Sequence, residues 1–305
     1  EQFAGGSAYG SISAPVEAGS GAGTYPTTGW QVQGGCGGGA VRIVASGTVT
    51  VEGTISANGG TALGQHAGGG SGGGIYITCW TFGGSSSGII RANGGNTYNN
   101  IAGGGAGGRM AVQYQNLSTP HTVRFSASGS TADWATANLT NGWPWAAQMG
   151  TLWLPDTSLL STNLTDWQFR DVCLSISNTA GWAVSRLAVS NCSLTFVDSG
   201  FVVTVTNDLI IGTDGSLGLG AYYGAGTNHQ LSCGGSIVLT NGGQLYVYAG
   251  VTNGAMTNGS AIVAVTNDIV IGPSSWLYAR SHVTNGGYAL FRANNVSIAP
   301  AGGIS

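Results

Sequence analysis

The stretch GTISANGGTALGQHAGGGSGGGIYI (residues 53–77) is followed by a near copy, GIIRANGGNTYNNIAGGGAGGRMAV (residues 88–112). Within it, Ser-Ala-Asn-Gly-Gly at 56–60 returns as Arg-Ala-Asn-Gly-Gly at 91–95 and as Ser-Ala-Ser-Gly-Ser at 126–130, in steps of 35 residues. A repeat at a fixed period of about 20–50 residues is typical of solenoids, in which each copy forms one coil. We therefore expect each copy to build a shape and not an active site.

A second repeat covers the C-terminal half with a shorter period. VTNDLIIGTDGSLGLGA begins at Val205, GSIVLTNGGQLYVYAG at Gly235, VTNDIVIGPSSWLYARS at Val265 and NVSIAPAGGIS at Asn295, so the starts recur evenly. Short runs alternate apolar and polar residues between Gly and Asn, which predicts β-strands, and no run has the spacing of an amphipathic helix. The sequence thus predicts an all-β parallel β-helix (β-solenoid), with coils of about 35 residues in the N-terminal half and about 30 in the C-terminal half.

A Trp-rich middle section interrupts the repeats. Residues 131–182 match neither repeat well, although MGTLWLPD at 149–156 is a weak further copy of the first. We predict a Gly-rich solenoid over residues 1–200 that contains this irregular segment, continued by the shorter coils over residues 201–305. A split into two domains near residues 165–200 is the alternative.

Asn residues recur at the predicted corners of the repeats, namely Asn58, Asn93, Asn207 and Asn267. Asn tolerates left-handed backbone, and its short side chain can bond nearby backbone. We therefore expect left-handed corners whose side chains bond the next coil. The glycines of AGGGSGGG (residues 67–74) permit positive φ and a close approach of neighbouring segments.

Composition argues against several classes of partner. Only 6% of the 305 residues are charged, with eight Arg, no Lys and a net charge of −3. No basic surface is therefore predicted to bind nucleic acid, and no apolar run reaches the ~18 residues of a membrane span. A hydrophobic fraction of 42% supports a packed core. Because few groups titrate, we expect stability to vary little with salt, or with pH between about 5 and 9.

The eleven acidic residues are scattered, and the sequence has no metal, cofactor or nucleophile motif. We therefore predict no catalytic residue, no metal site and no cofactor. Asp208 and Asp268 occupy the same repeat position two coils apart, about 9.6 Å at ~4.8 Å per coil. That separation is compatible with an inverting glycosidase. Both follow Asn in a repeated turn, however, and a turn role explains them without catalysis.

Two groups of side chains remain as candidates. Trp134, Trp143 and Trp145 could stack on sugars, or could be buried in the core. Cys173 and Cys192 flank two alternating stretches and could form a disulfide, or could remain buried thiols.

The GTISANGG…GGGSGGGIYI…GGRMAV pattern, together with TNDIVIG…LYA, resembles the Gly/Asn-rich repeats of very large secreted bacterial surface proteins. Such proteins occur in planctomycete- and verrucomicrobia-like bacteria and are similar to autotransporter and filamentous-adhesin passengers. The resemblance covers about residues 35–130 and 205–305 and brings no catalytic residues with it. It implies a β-helix, an extracellular or cell-surface location, and structural or adhesive work.

We therefore expect a non-catalytic structural or adhesive protein. The coil that begins at Asn295 is unfinished, so copies could stack head to tail into a surface fibre, or the chain could be part of a giant surface protein. Polysaccharide is a further candidate partner. The alternatives are a polysaccharide lyase or glycosidase, and a glycan-binding module.

Overall fold

The computed structural model describes residues 9–23, 33–64, 67–97, 102–130, 147–176, 178–220, 229–250, 261–281 and 286–305. These residues contain 28 strands, numbered β1–β28 in chain order, and no helix. The strands pair in parallel sheets. The prediction of an all-β chain is confirmed for the described residues.

One sheet, sheet I, runs through both halves of the described chain and contains every third strand. Its strands are, in spatial order, β1 (Ala40–Val44), β4 (Gly74–Thr78), β7 (Arg109–Gln113), β10 (Gly150–Leu154), β13 (Val172–Ile176), β16 (Cys192–Phe196), β19 (Gly215–Leu219), β22 (Gln244–Ala249), β25 (Trp276–Ser281) and β28 (Gly303–Ile304). Because spatial order follows chain order, each strand of sheet I lies between those of the preceding and following repeats.

Four shorter sheets flank sheet I, two in each half. Sheet II contains β2 (Thr48–Thr50), β5 (Thr81–Gly84) and β8 (Asn116–His121). Sheet III contains β3 (Thr54–Ser56), β6 (Ile89–Arg91), β9 (Arg124–Ser126) and β12 (Phe169–Arg170). Sheet IV contains β14 (Gly181–Val184), β17 (Val202–Val205), β20 (His229–Cys233), β23 (Ala261–Val265) and β26 (Ala289–Arg292). Sheet V contains β11 (Asn163–Leu164), β15 (Leu187–Val189), β18 (Leu209–Ile211), β21 (Ile237–Leu239), β24 (Asp268–Ile271) and β27 (Asn295–Ile298).

The pairing register reproduces the sequence periods. In sheet III, Ile55 pairs with Ile90 and Ile90 with Phe125, which are 35 residues apart in each step. In sheet V the successive partners are Leu209, Ile237, Ile269 and Val296, so the step changes from one repeat to the next. The predicted period of about 30 residues in the C-terminal half is therefore an average and not a fixed spacing.

The middle of the chain has shorter repeats than the sequence suggested. In sheet I, Leu152 pairs with Leu174, Leu174 with Phe196 and Phe196 with Leu219. Each of these steps is roughly 22 residues, near the lower end of the periods that are typical of solenoids. Sheet III ends and sheet V begins at this point, while sheet I continues without a break.

Inward-facing apolar side chains stack in columns along the sheets. In sheet III, Ile90, Phe125 and Phe169 are successive partners, all three are fully buried, and the two phenylalanine ring centroids are 5.9 Å apart. Parallel strands carry equivalent residues at the same height, so a repeated apolar position becomes a continuous column. Each buried side chain of this size contributes roughly 1.5–3 kcal/mol.

The glycine-rich segments between strands form a hydrogen-bonded network, here called the glycine bundle (residues 19–23, 33–38, 57–62, 68–73, 92–97, 103–108 and 127–130), whose segment 68–73 is mostly buried. Segment 68–73 donates hydrogen bonds to three other segments, and each of its six consecutive amides donates to a backbone carbonyl, with N···O distances of 2.7–3.4 Å. Gly68 and Ser71 donate to segment 19–23, Gly69 and Gly72 to segment 103–108, and Gly70 and Gly73 to segment 57–62. Amides three residues apart therefore point to the same neighbouring segment, and a period of three residues is that of the polyproline II helix. In a β-strand, by contrast, successive amides alternate between two directions.

At most of the described glycines of this bundle there is no room for a Cβ atom. A Cβ atom on Gly69 would lie 1.8 Å from the Gly95 carbonyl oxygen, and one on Gly105 would lie 1.9 Å from that of Gly70. The predicted close approach is confirmed. The freedom to adopt positive φ is not used in the bundle, since the described glycines with positive φ lie outside it, at Gly10, Gly84, Gly200, Gly220, Gly242, Gly286 and Gly287.

The predicted Asn corners have the expected side-chain bonds in the N-terminal half, but not the expected backbone. Asn58 Oδ1 accepts from Asn93 N at 2.9 Å, and Asn93 Oδ1 accepts from Ser128 N at 2.9 Å, so each side chain bonds the next repeat. None of Asn58, Asn93, Asn207 and Asn267 has a positive φ. The left-handed corners instead lie just before strands of sheet I, at Asp171, Asn191, Asp214, Asn241, Ser274 and Ala301.

Candidate functional site

Asp208 and Asp268, the acidic pair singled out by the sequence, bond the repeats that follow them. Asp208 Oδ1 accepts from Ser236 N at 2.8 Å. Asp268 Oδ1 accepts from Asn295 N at 3.1 Å and from Asn295 Nδ2 at 2.8 Å. Beside them, the Asn207 carbonyl accepts from Gly235 N at 2.9 Å and from the Cys233 thiol at 3.0 Å, both in the next repeat. Both carboxylates thus bond the following repeat, and Asp268 does so from the first residue of β24.

Other carboxylates bond adjacent repeats in the same way. Glu52 accepts from Ser85 N at 3.0 Å, from the Ser85 hydroxyl, and from Ser87 Oγ at 2.7 Å. These bonds lower the pKa of Glu52, because they favour its charged form. Equivalent bonds across repeats are made by Asp156 to Tyr114, Asp171 to Ser128, and Asp198 to Ser175.

The three tryptophans predicted as glycan contacts, Trp134, Trp143 and Trp145, lie outside the described residues. Two other tryptophans of the middle section, Trp153 and Trp182, are buried.

The candidate disulfide is not formed, since Cys173 and Cys192 are both free thiols. Cys173 lies on the outer face of sheet I between Thr151 and Thr195, whereas Cys192 is fully buried on the inner face. Side chains on opposite faces of one sheet cannot be bridged. Burial raises the pKa of Cys173 to about 11 and that of Cys192 to about 12, so both are held as thiols.

His229, at the start of β20, is 1% exposed, and neither ring nitrogen has a hydrogen-bond partner among the described residues. Burial lowers the pKa of His229, and the charge of Asp198 opposes that shift only in part. The expectation of a flat stability profile between pH 5 and 9 therefore needs revision, because a neutral buried histidine resists protonation.

A surface groove of approximately 510 Å³ lies over the outer face of sheet I, between the loop before β13 and strand β22. Tyr246 and Tyr248 form one wall, and Trp167 with Arg170 forms the other. Residues far apart in the chain meet here because consecutive sheet I strands lie side by side.

The tyrosine wall is flat and supported from behind. The Tyr246 and Tyr248 ring centroids are 6.3 Å apart and their planes differ by only 13°. Tyr278, the partner of Tyr246 on β25, stacks behind it at 4.5 Å and 15°, and Trp276 extends this second layer at 6.0 Å. On the neighbouring strand β19, the partner of Tyr246 is Gly218. Because glycine has no side chain, this face of the Tyr246 ring is open to the groove.

The opposite wall is held by a strained turn. Trp167 has φ +58° and follows Asp166 at φ +55°, a conformation that is unusual for a bulky residue and costs roughly 1–3 kcal/mol. Its amide donates to Asn191 O at 2.8 Å, and the Arg170 guanidinium lies 5.2 Å from the ring centroid. These contacts fix an indole ring that remains 38% exposed.

The groove floor is polar and carries little charge. Ser193, Thr195 and Ser216 line it with hydroxyl groups, and Asp171 and Asp214 lie at its edge. Aromatic faces opposite hydroxyl groups can bind a ligand that has both apolar faces and polar edges.

The sequence contained part of the signal for this groove. QLYVYAG shows Tyr246 and Tyr248 alternating with buried Leu245 and Val247, which places both rings on the outer face. Their meeting with Trp167 could not be predicted, because it depends on the short repeats of the middle section, which the sequence periods did not show.

Comparison with protein-family models, with curated proteins and with solved structures finds no significant match. Among the described residues, no three His, Cys, Asp or Glu side chains lie together in a group that could hold a metal ion. The same part of the chain has no helix of the length and apolarity that crossing a membrane requires.

Proposed function

We propose that the chain is a section of a parallel β-helix with a structural or adhesive role outside the cell, and that it is not an enzyme. The strand order supports a β-helix, because three successive strands belong to three different sheets and every third strand lies in sheet I. The extracellular location rests on the low charge, the Gly/Asn-rich repeats and the resemblance they carry.

The observation that carries the structural role is the use of the acidic side chains. Asp208 and Asp268 each bond the following repeat, as do the carboxylates of Glu52 and Asp198 with their neighbours. Carboxylates that accept backbone and side-chain hydrogen bonds between repeats stabilise a stack, whereas a glycosidase needs a pair facing its substrate.

The edge strands at both ends support stacking with further copies. Ile298 on β27 is 50% exposed, although its partner Ile271 in the preceding repeat is 1% exposed. At the other edge, Ile43 on β1 is only half-buried, while its partner Ile77 is fully buried. An apolar column that reaches a strand beyond which the described residues contain no further strand favours addition of another strand.

Electron microscopy and sedimentation over rising protein concentration test this self-association. We expect filaments or end-to-end oligomers, which Ile298→Asp should disperse. Leu63→Asp, at a side chain 70% exposed and outside the strands, should leave them intact. Monomers alone at the highest concentration would refute stacking between copies.

Incubation with a polysaccharide panel tests the absence of catalysis. We expect neither new reducing ends nor unsaturated products. Product release that Asp208→Asn or Asp268→Asn abolishes would overturn the non-catalytic proposal.

A further inference from the structure

We propose that the groove over sheet I binds a short stretch of a neutral polysaccharide, whose sugar rings stack between the Tyr246 wall and Trp167. The proposal goes beyond the structural role and is independent of end-to-end stacking, because the groove lies on the side of the sheet and not at its edges.

The shape of the walls indicates a flat ligand with an apolar face. The Tyr246 and Tyr248 rings are nearly parallel, and Tyr278, itself packed on Trp276, stacks behind Tyr246. A pyranose ring has axial C–H groups on its face that pack on such a surface. Support from the second ring layer means that little side-chain entropy is lost on binding.

The floor indicates a ligand with hydroxyl groups along its edges. Ser193 and Ser216 are partners on the neighbouring strands β16 and β19, and Thr195 lies two residues further along β16, so the floor offers hydroxyl donors and acceptors. Sheet I strands are about 4.8 Å apart, so the five strands β10, β13, β16, β19 and β22 span about 19 Å, the length of a short oligosaccharide. An apolar peptide would leave these hydroxyl groups without partners.

The charges favour a neutral sugar over an acidic one. Among the described residues that line the groove, Arg170 is the one cation, and its guanidinium lies against the Trp167 ring. Asp171 and Asp214 also line the groove, so an acidic polysaccharide would meet two carboxylates.

Isothermal titration calorimetry of the full chain with cellohexaose, xylohexaose, mannohexaose and laminarihexaose tests the proposal, with an oligogalacturonate hexamer and a proline-rich decapeptide as competing classes. We expect saturable binding of at least one neutral hexasaccharide. Tyr246→Ala and Trp167→Ala should each weaken it about ten-fold or more, while Tyr246→Phe, which keeps the ring, should change it less than about three-fold.

Tyr76→Ala is the matched control, since Tyr76 lies on β4 of the same sheet and outside the groove. It should leave affinity unchanged, and thermal unfolding of each variant checks that it is folded. The proposal is overturned if no neutral hexasaccharide binds, if Tyr246→Ala binds as well as the parent protein, if Tyr246→Phe loses as much as Tyr246→Ala, or if the acidic hexamer or the peptide binds more tightly than every neutral sugar.

Discussion

Sheet I passes through both halves of the described chain, but the two halves connect their repeats differently. In the N-terminal half, 35-residue repeats alternate short strands with the glycine bundle, where backbone bonds run in three directions. In the C-terminal half, the columns of Leu, Ile and Val fill the space between sheets I, IV and V, and left-handed corners turn the chain.

Glycine therefore has two separate structural roles in this chain. In the bundle it is needed because neighbouring backbones occupy the place of a Cβ atom, as at Gly69 and Gly105. At Gly242 nothing lies within 4 Å of an added Cβ, and the positive φ of +83° is what favours glycine there.

Gly105→Ala should have the largest effect on stability. Its Cβ atom would lie 1.9 Å from the Gly70 carbonyl oxygen, and both are backbone groups that no rotamer change can separate. We expect a loss of about 4 kcal/mol or more in the free energy of unfolding, or no folded protein. Gly103→Ala, two residues away with open space around it, is the control for thermal unfolding. If the two substitutions had equal effects, the close backbone contact at Gly105 would not be the reason that glycine is needed there.

Leu217→Ala should have the next largest effect, in the half stabilised by side-chain packing. Leu217 is fully buried in the core column of β19, so the substitution leaves a cavity and should cost about 2–5 kcal/mol in urea unfolding. Ser216→Ala, on the outer face of the same strand, should cost much less. A neutral Leu217→Ala would show that the C-terminal half does not depend on its columns.

Acid should weaken the C-terminal half through His229. Burial lowers the pKa of His229 in the folded chain, so below pH 6.5 the unfolded chain binds the proton more readily. Stability is then complete above pH 6.5 and falls as the pH drops below it, with a slope of up to about 1.4 kcal/mol per pH unit. Urea unfolding between pH 7.5 and 5 measures this slope, which His229→Gln should remove. A slope that the variant retains would assign it to other groups.

Asn93→Ala should have the smallest effect, at a corner of the N-terminal half. The substitution removes the bonds that Asn93 Oδ1 accepts from Ser128 N and from Ser126 Oγ, which are 2.9 and 2.7 Å long. We expect a loss of about 1–2 kcal/mol in thermal unfolding. Asn116→Ala, at an exposed position of β8, should be neutral. A larger loss at Asn116 would contradict the corner role.

The sequence predicted the features that follow from the repeat period. It did not predict the features that depend on which segments lie next to each other in the fold. The 35-residue step and the Asn58–Asn93 bonds followed from repetition, because equivalent residues of parallel strands lie side by side. The left-handed backbone was predicted at Asn residues but occurs at others, such as Asp214. The backbone of a turn depends on the angle between the two sheets it connects, which the sequence does not show. The three directions of bonding in segment 68–73 were missed because no single-chain pattern shows which segments surround it.

The glycine bundle should behave as part of the core and not as a set of loops. The most direct test compares the amide hydrogen-exchange rates of Gly69–Gly73 with those of β4, which follows immediately. The structure gives each of these five amides a backbone acceptor at 2.7–3.1 Å. We predict protection of all five, of the same order as that of residues 75–78. Exchange at the rate of an exposed loop, or protection only at alternate residues as at the edge of a sheet, would contradict the account.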